Sequence, residues 1–156
     1  MEVSGTKWSR PPTIRPARAD DYQAIAAVWE AAGLKADRAT RDGESAFVRQ
    51  LKRFPASYLV AVDGNAVIGV VLGTHDERKG WINRLAVLPA YQGCGVATAL
   101  VRACDAAIRA EGIHIVSALV EPGNKSSGRV FEKVGYRTDV EVLYFRKVDR
   151  PDVERH

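Results

Sequence analysis

Three apolar runs rich in β-branched residues follow one another with no helical spacing between them, and this limits the possible folds more than any other feature. Tyr58 to Val62 and Ala66 to Leu72 are separated only by Asp63-Gly64-Asn65. Gly and Asn tolerate the positive φ of a tight turn, so the two runs predict a hairpin. A polar turn from Asp76 to Gly80 then leads into a third run, Trp81 to Leu88. Strands joined this closely pair antiparallel, so the centre of the chain is a meander.

Helical spacing surrounds it. Ile14 to Ala17 reads as a short strand. Asp20 offers an N-cap with Gln23 three positions on, and Tyr22, Ile25, Ala26 and Trp29 predict an amphipathic helix over 21–32, ended near Gly33. Phe47, Leu51 and Phe54 mark a second helix stopped by Pro55. After Pro89, Ala97, Leu100, Val101, Cys104 and Ile108 form one apolar stripe closed by Gly112. Ile113 to Val120 reads as a buried strand. Ser126 to Val134 reads as a short helix with Gly135 at C′, and Val140 to Val148 as a last strand. The order β-α-α-β-β-β-α-β-α-β predicts an α/β fold, a mixed sheet with helices on its faces.

A chain of 156 residues, 46% hydrophobic and 27% charged, suits one domain. We place it at 13–148, after a loose lead-in over 1–12 that contains Pro11 and Pro12, and before a tail over 149–156. No apolar run approaches the roughly 20 residues of a membrane helix. Met1 to Arg10 has no apolar stretch of the kind a secretory signal needs. Cys94 and Cys104 fit neither a disulfide framework nor a zinc spacing, which predicts a reducing, cytoplasmic home. His75, His114 and His156 are too scattered for a metal site. The net charge is +4, but the Lys and Arg residues are dispersed and lack an aromatic-basic platform. That argues against a nucleic-acid partner, and an anionic small ligand accounts for the balance equally well.

The stretch Leu85-Ala86-Val87-Leu88-Pro89-Ala90-Tyr91-Gln92-Gly93-Cys94-Gly95-Val96-Ala97 carries the chemistry. A strand ends, a glycine loop turns, and a helix begins with unpaired N–H groups that favour a phosphate. Gly93 and Gly95 let the backbone approach an anion, and Thr98 can add a hydroxyl. No Lys-Ser/Thr pair follows the glycines, which excludes a Walker loop. The dinucleotide fingerprint also fails, because it needs a third small residue and an acidic residue near position 115, which is Ile. An ordinary βα turn is the competing reading of this loop, as an N-cap is of Asn124.

Gln92-x-x-Gly95-x-Ala97 after Leu85-x-Val87-x-Pro89, with Asn124 and then Phe131-Glu132-Lys133-Val134-Gly135-Tyr136, resembles the signature of the GNAT superfamily of N-acetyltransferases. The similarity runs from Thr13 to about Val148. It implies acetyl-CoA as co-substrate and a primary amine, on a small molecule or a protein, as acceptor. By that resemblance, Gln92 and the amides of Gly93, Cys94, Gly95, Val96 and Ala97 hold the pyrophosphate. Leu85, Ala86 and Val87 border the pantetheine arm, with Leu85 and Val87 pairing with it, and a bulge in their strand splays it from the next to admit the thioester. Asn124 contacts the arm with Ser127 close by, and the Val87 N–H faces the oxyanion. It also implies a possible homodimer through the C-terminal strand.

Two departures from the family pattern matter. Relatives often have a tyrosine as acid for the leaving thiolate where this chain has Phe131; Tyr144 is a candidate substitute. The strand position where many relatives place a carboxylate reads Trp-Ile-Asn-Arg, and the glutamate of the ribosomal-protein N-terminal acetylating branch is Leu119 here. Glu121, Asp76 and Glu30 remain as candidate bases. Phe131 also motivates a second reading, a catalytically weak acyl-CoA-binding sensor or regulatory domain.

Overall fold

The structure, a computed structural model of the chain, describes residues 10–150. Strands β1 (Thr13–Pro16), β2 (Tyr58–Asp63), β3 (Ala66–His75), β4 (Gly80–Val87) and β5 (Val116–Ser117) form one sheet in chain order. The first four pair antiparallel, and β5 joins β4 in parallel. Helices α1 (Tyr22–Ala31) and α2 (Glu44–Arg53) precede β2, α3 (Val96–Arg109) follows β4, and α4 (Lys125–Lys133) follows β5. Asp63 pairs with Ala66, so Gly64 and Asn65 make the turn, and only Gly64 has a positive φ, at 60°.

The unbroken apolarity of β2 and β3 follows from burial on both faces. Leu59, Ala61, Ile68 and Val71 pack with Leu100, Cys104 and Ile108 of α3 and with Phe131 of α4. Tyr58, Val60, Val70 and Leu72 pack on the other face with Ile25 and Trp29 of α1 and Phe47 of α2. The α3 stripe lies flush because three facing positions have no side chain. A Cβ at Gly69 would stand 3.0 Å from Leu100, one at Gly73 2.6 Å from Cys104, and one at Gly80 2.6 Å from Ile108.

Three expectations need correction. Asp20 does not cap α1, whose N-cap position is Asp21 with no side-chain capping bond. A single 3-10 turn, Ala19–Asp21, precedes the helix, and the Asp21 carboxylate accepts from the Arg18 N–H at 2.7 Å. The strand expected over 113–120 pairs only at Val116 and Ser117, with Gly80 and Trp81. β4 carries a bulge beyond that point, so the two strands diverge. The last strand, expected over 140–148, is not formed, and the order among the described residues ends at α4. Val142 to Phe145 is apolar on both alternating faces, a pattern suited to a strand covered on each side. The two-residue β5 offers no such setting, and Phe145 is 86% exposed. No helix among the described residues is long and apolar enough to cross a membrane.

Candidate active site

The bulge in β4 creates the site. Val70 pairs with Ala86 but Leu72 with Asn83, so Arg84 and Leu85 together face the single residue Val71. Arg84 takes a left-handed φ of 56° to make this possible. One extra residue reverses the alternation of side chains. Ile82 therefore faces the α3 layer, whereas Ala86 faces α1.

Past the bulge, β4 has one free edge. The Leu88 N–H donates to the Ile68 carbonyl at 2.8 Å, on the β3 side. Successive residues of a strand direct their N–H and C=O groups to opposite edges, so those of Val87 turn away from β3. The Val87 carbonyl accepts from Nε2 of Gln92 at 3.0 Å. Gln92 thus braces the loop against the strand end.

The chain then turns through a second 3-10 segment, Pro89–Tyr91, into the N-terminus of α3. Gly93 and Gly95 have φ of 76° and 83°. Gly95 is the N-cap residue and no side chain caps the helix, so the first-turn amides have no intrahelical partner. A Cβ at Gly95 would meet nothing within 4 Å, and the loop stands open in front of those amides. Across the gap, Asn124 caps α4, and its Oδ1 accepts from the Ser127 N–H at 3.2 Å. The capping reading of Asn124 is therefore correct.

The wedge between the free edge of β4 and α4 is a cleft of about 520 Å³. It brings together Leu85, Ala86, Val87, Gln92, Gly93, Gly95, Val96, Ala97, Thr98, Asn124 and Ser127. Cys94 and Phe131 do not line it. Cys94 is half-buried with its thiol toward the Gln92 carbonyl, and Phe131 is a core residue whose ring meets Tyr136 edge-on. The catalytic candidates lie elsewhere. Asp76 sits in the β3–β4 turn, roughly 23 Å along the strand from Val87, and accepts from the amides of Arg78 and Lys79. These hydrogen bonds hold its carboxyl below the usual range, so it is a turn anchor and not a base. Glu121 lines a separate shallow depression beside α4. Tyr144 is 71% exposed.

Sequence reasoning missed Gly33 and Leu34, at the end of α1, and Ser126, Arg129 and Lys133 of α4, all of which line the cleft. For α4 a signal existed, since Ser126, Val130 and Lys133 recur at i, i+4, i+7 on one face. Among the described residues there is no cluster of groups able to hold a metal.

An open strand edge beside an uncapped helix N-terminus suits an extended ligand with a phosphate. The chain is 31% identical over 134 residues to an acetyltransferase of Sodalis glossinidius, covering 86% of this chain and 93% of that one. It is 31% identical over 125 residues to an acetyltransferase of Pectobacterium atrosepticum, covering 80% and 87%. The fold matches the PaiA N-acetyltransferase of Thermoplasma acidophilum in complex with coenzyme A, with a TM-score of 0.73 at 15% identity over 83% of this chain and 92% of that one. It also matches YncA of Salmonella typhimurium with its cofactor acetyl-CoA, at 0.68 and 23% over 84% and 82%. The model of the acetyltransferase (GNAT) family matches residues 18–136. The chain belongs to that family and is an acetyltransferase.

Proposed function

We propose that this chain transfers the acetyl group of acetyl-CoA to a primary amine by direct attack of the amine on the thioester. The carrying observation is the free edge of β4 facing α4, with the uncapped α3 N-terminus at one end of the same cleft. Backbone groups of Leu85 and Val87 pair with the pantetheine arm as a strand would, and the amides of Gly93 to Ala97 receive the pyrophosphate. The amine nitrogen bonds to the carbonyl carbon, a backbone N–H of β4 stabilises the oxyanion, and the carbon–sulfur bond then breaks to release CoA as a thiolate that takes its proton from solvent.

The cleft carries no Asp or Glu side chain among the described residues. The amine therefore loses its proton to water, and an amine of lower pKa reacts faster at neutral pH. A lysine amine is protonated by roughly a thousand to one at pH 7, an α-amine far less. The test is calorimetry with acetyl-CoA, followed by thiol release against an amine panel. Absence of binding at millimolar acetyl-CoA would overturn the reading. Binding without amine-dependent release would favour the sensor reading.

The same reading includes a homodimer. Val140, Val142, Leu143, Tyr144 and Phe145 are all exposed, and the outer edge of β5 is open. A contiguous apolar segment of this size is a mark of an interaction surface. Two copies related by a two-fold axis cover each other's segment. Sedimentation at tens of micromolar should give twice the chain mass, and a monomer there would sink the dimer.

A further inference from the structure

The two walls of the cleft differ in how they can meet an anion. The β4–α3 side offers backbone amides and the Thr98 hydroxyl, with no cationic side chain. The α4 side carries Arg129 and Lys133, one turn apart, and both line the cleft. Neither makes an ion pair or side-chain hydrogen bond among the described residues. Arg15, Arg41, Arg84 and Arg109, by contrast, are each tied to an aspartate. Arg129 also borders the shallow depression that Glu121 and Glu132 line, yet no carboxylate is within ion-pairing distance of it. The fold itself leaves both charges unused.

We propose that Arg129 and Lys133 bind the 3′-phosphate of CoA, so that the protein selects 3′-phosphorylated CoA over its dephospho form. This rests on the acetyl-CoA reading above. Each phosphate of the pyrophosphate diester carries one charge, which suits an amide crown at a helix N-terminus. The 3′-phosphate is a monoester with a second pKa near 6, close to a dianion at pH 7. Such a group calls for mobile cations able to donate several charge-assisted hydrogen bonds. Arg129 and Lys133 stand about 7 and 13 Å along the helix axis from Asn124. They are therefore displaced toward the far end of α4, away from the residue expected to meet the pantetheine arm.

The test is calorimetry of free CoA and 3′-dephospho-CoA against the wild type, Arg129→Ala, Lys133→Ala and the double variant. Both side chains are exposed, so the fold should survive, and circular dichroism checks this. The wild type should bind CoA about tenfold or more tighter than dephospho-CoA. The double variant should lose that preference while its dephospho-CoA affinity stays within about twofold. Lys133→Arg, which keeps the charge, should keep the preference. Equal weakening of both ligands would place the pair on the pyrophosphate and overturn the proposal. So would a wild type that binds the two ligands alike. A wild type that binds neither defeats the acetyl-CoA reading itself, and this inference with it.

Discussion

The guanidinium of Arg84 lies over the Trp29 ring, 4.6 Å from its centroid, and ties the β4 bulge to α1. The same group donates to the Lys35 carbonyl at 2.9 Å and pairs with Asp42 at 3.6 Å. It thereby fixes the segment between α1 and α2, whose first residues line the cleft. Its Nε and Nη2 are buried without hydrogen-bond acceptors, and desolvation holds its pKa below the usual arginine value.

Replacing Arg84 should reveal two opposed effects. Arg84→Ala loses the ring contact and the partner of Asp42 while keeping a Cβ at φ 56°, and should cost roughly 2–4 kcal/mol. Arg84→Gly loses the same contacts but relieves the left-handed strain, about 1 kcal/mol. The glycine variant should therefore be the more stable of the two, the reverse of the usual order in a strand. Urea titration of both variants decides the point, and Arg84→Lys should rescue neither the stacking nor the fork.

Acid sensitivity should trace to Asp21. Arg15 donates to both its oxygens, at 2.8 and 2.9 Å, and with the Arg18 N–H keeps the carboxyl below its usual range. A depressed folded pKa stabilises above the unfolded value, near 3.9, and the benefit is lost as pH falls through the folded value. Asp21→Asn should cost about 2 kcal/mol at pH 7. The difference from the wild type should narrow as pH falls below the unfolded value, near 3.9, and keep shrinking through the lower folded value. A gap in urea titrations that does not narrow at all between about pH 5 and pH 2 would contradict this assignment.

The two thiols should behave differently. Cys104 is fully buried among α3 and β3 residues, and burial pushes its thiol up to about 12. Cys94 is half-buried in the loop. A disulfide reagent at pH 8 should label one thiol in the native protein and two in guanidinium. Two fast thiols in the native state would show that the α3 face opens.

Gly95 should separate binding from stability. A Cβ there meets no neighbour, so Gly95→Ala costs only the left-handed penalty, about 1–2 kcal/mol. Gly95→Glu adds a carboxylate before the α3 amides and should weaken acetyl-CoA binding by about 100-fold or more. Thermal melting and calorimetry on both variants test this, and unchanged affinity in a folded Gly95→Glu protein would refute the loop assignment.

Much of this arrangement was readable from the chain because periodicity and turn chemistry are local. The apolar stripe of α3 and the hairpin at Gly64 needed only spacing and residue type. The bulge was expected only from the family resemblance, and its position was not readable from the residues, because the one with the left-handed φ is an arginine. The shortness of β5 follows from that bulge, so it was hidden for the same reason. The residues after Tyr136 have strand composition, but composition does not say which surface will pair with them. Among the site residues, the glycines and Asn124 stood out through backbone requirements. Arg129 and Lys133 look like any exposed cations until the cleft places them beside the loop.

The notch at Gly80 is also a dimension. Gly80 is both the place where β4 meets β5 and the place where Ile108 nests without obstruction. It is the apex of the wedge, and the walls open from it toward Leu85 and Asn124. A methyl group at this apex would push α3 outward and alter the taper several residues away. The bore available to a ligand is therefore set by an atom that is missing far from where the ligand would lie.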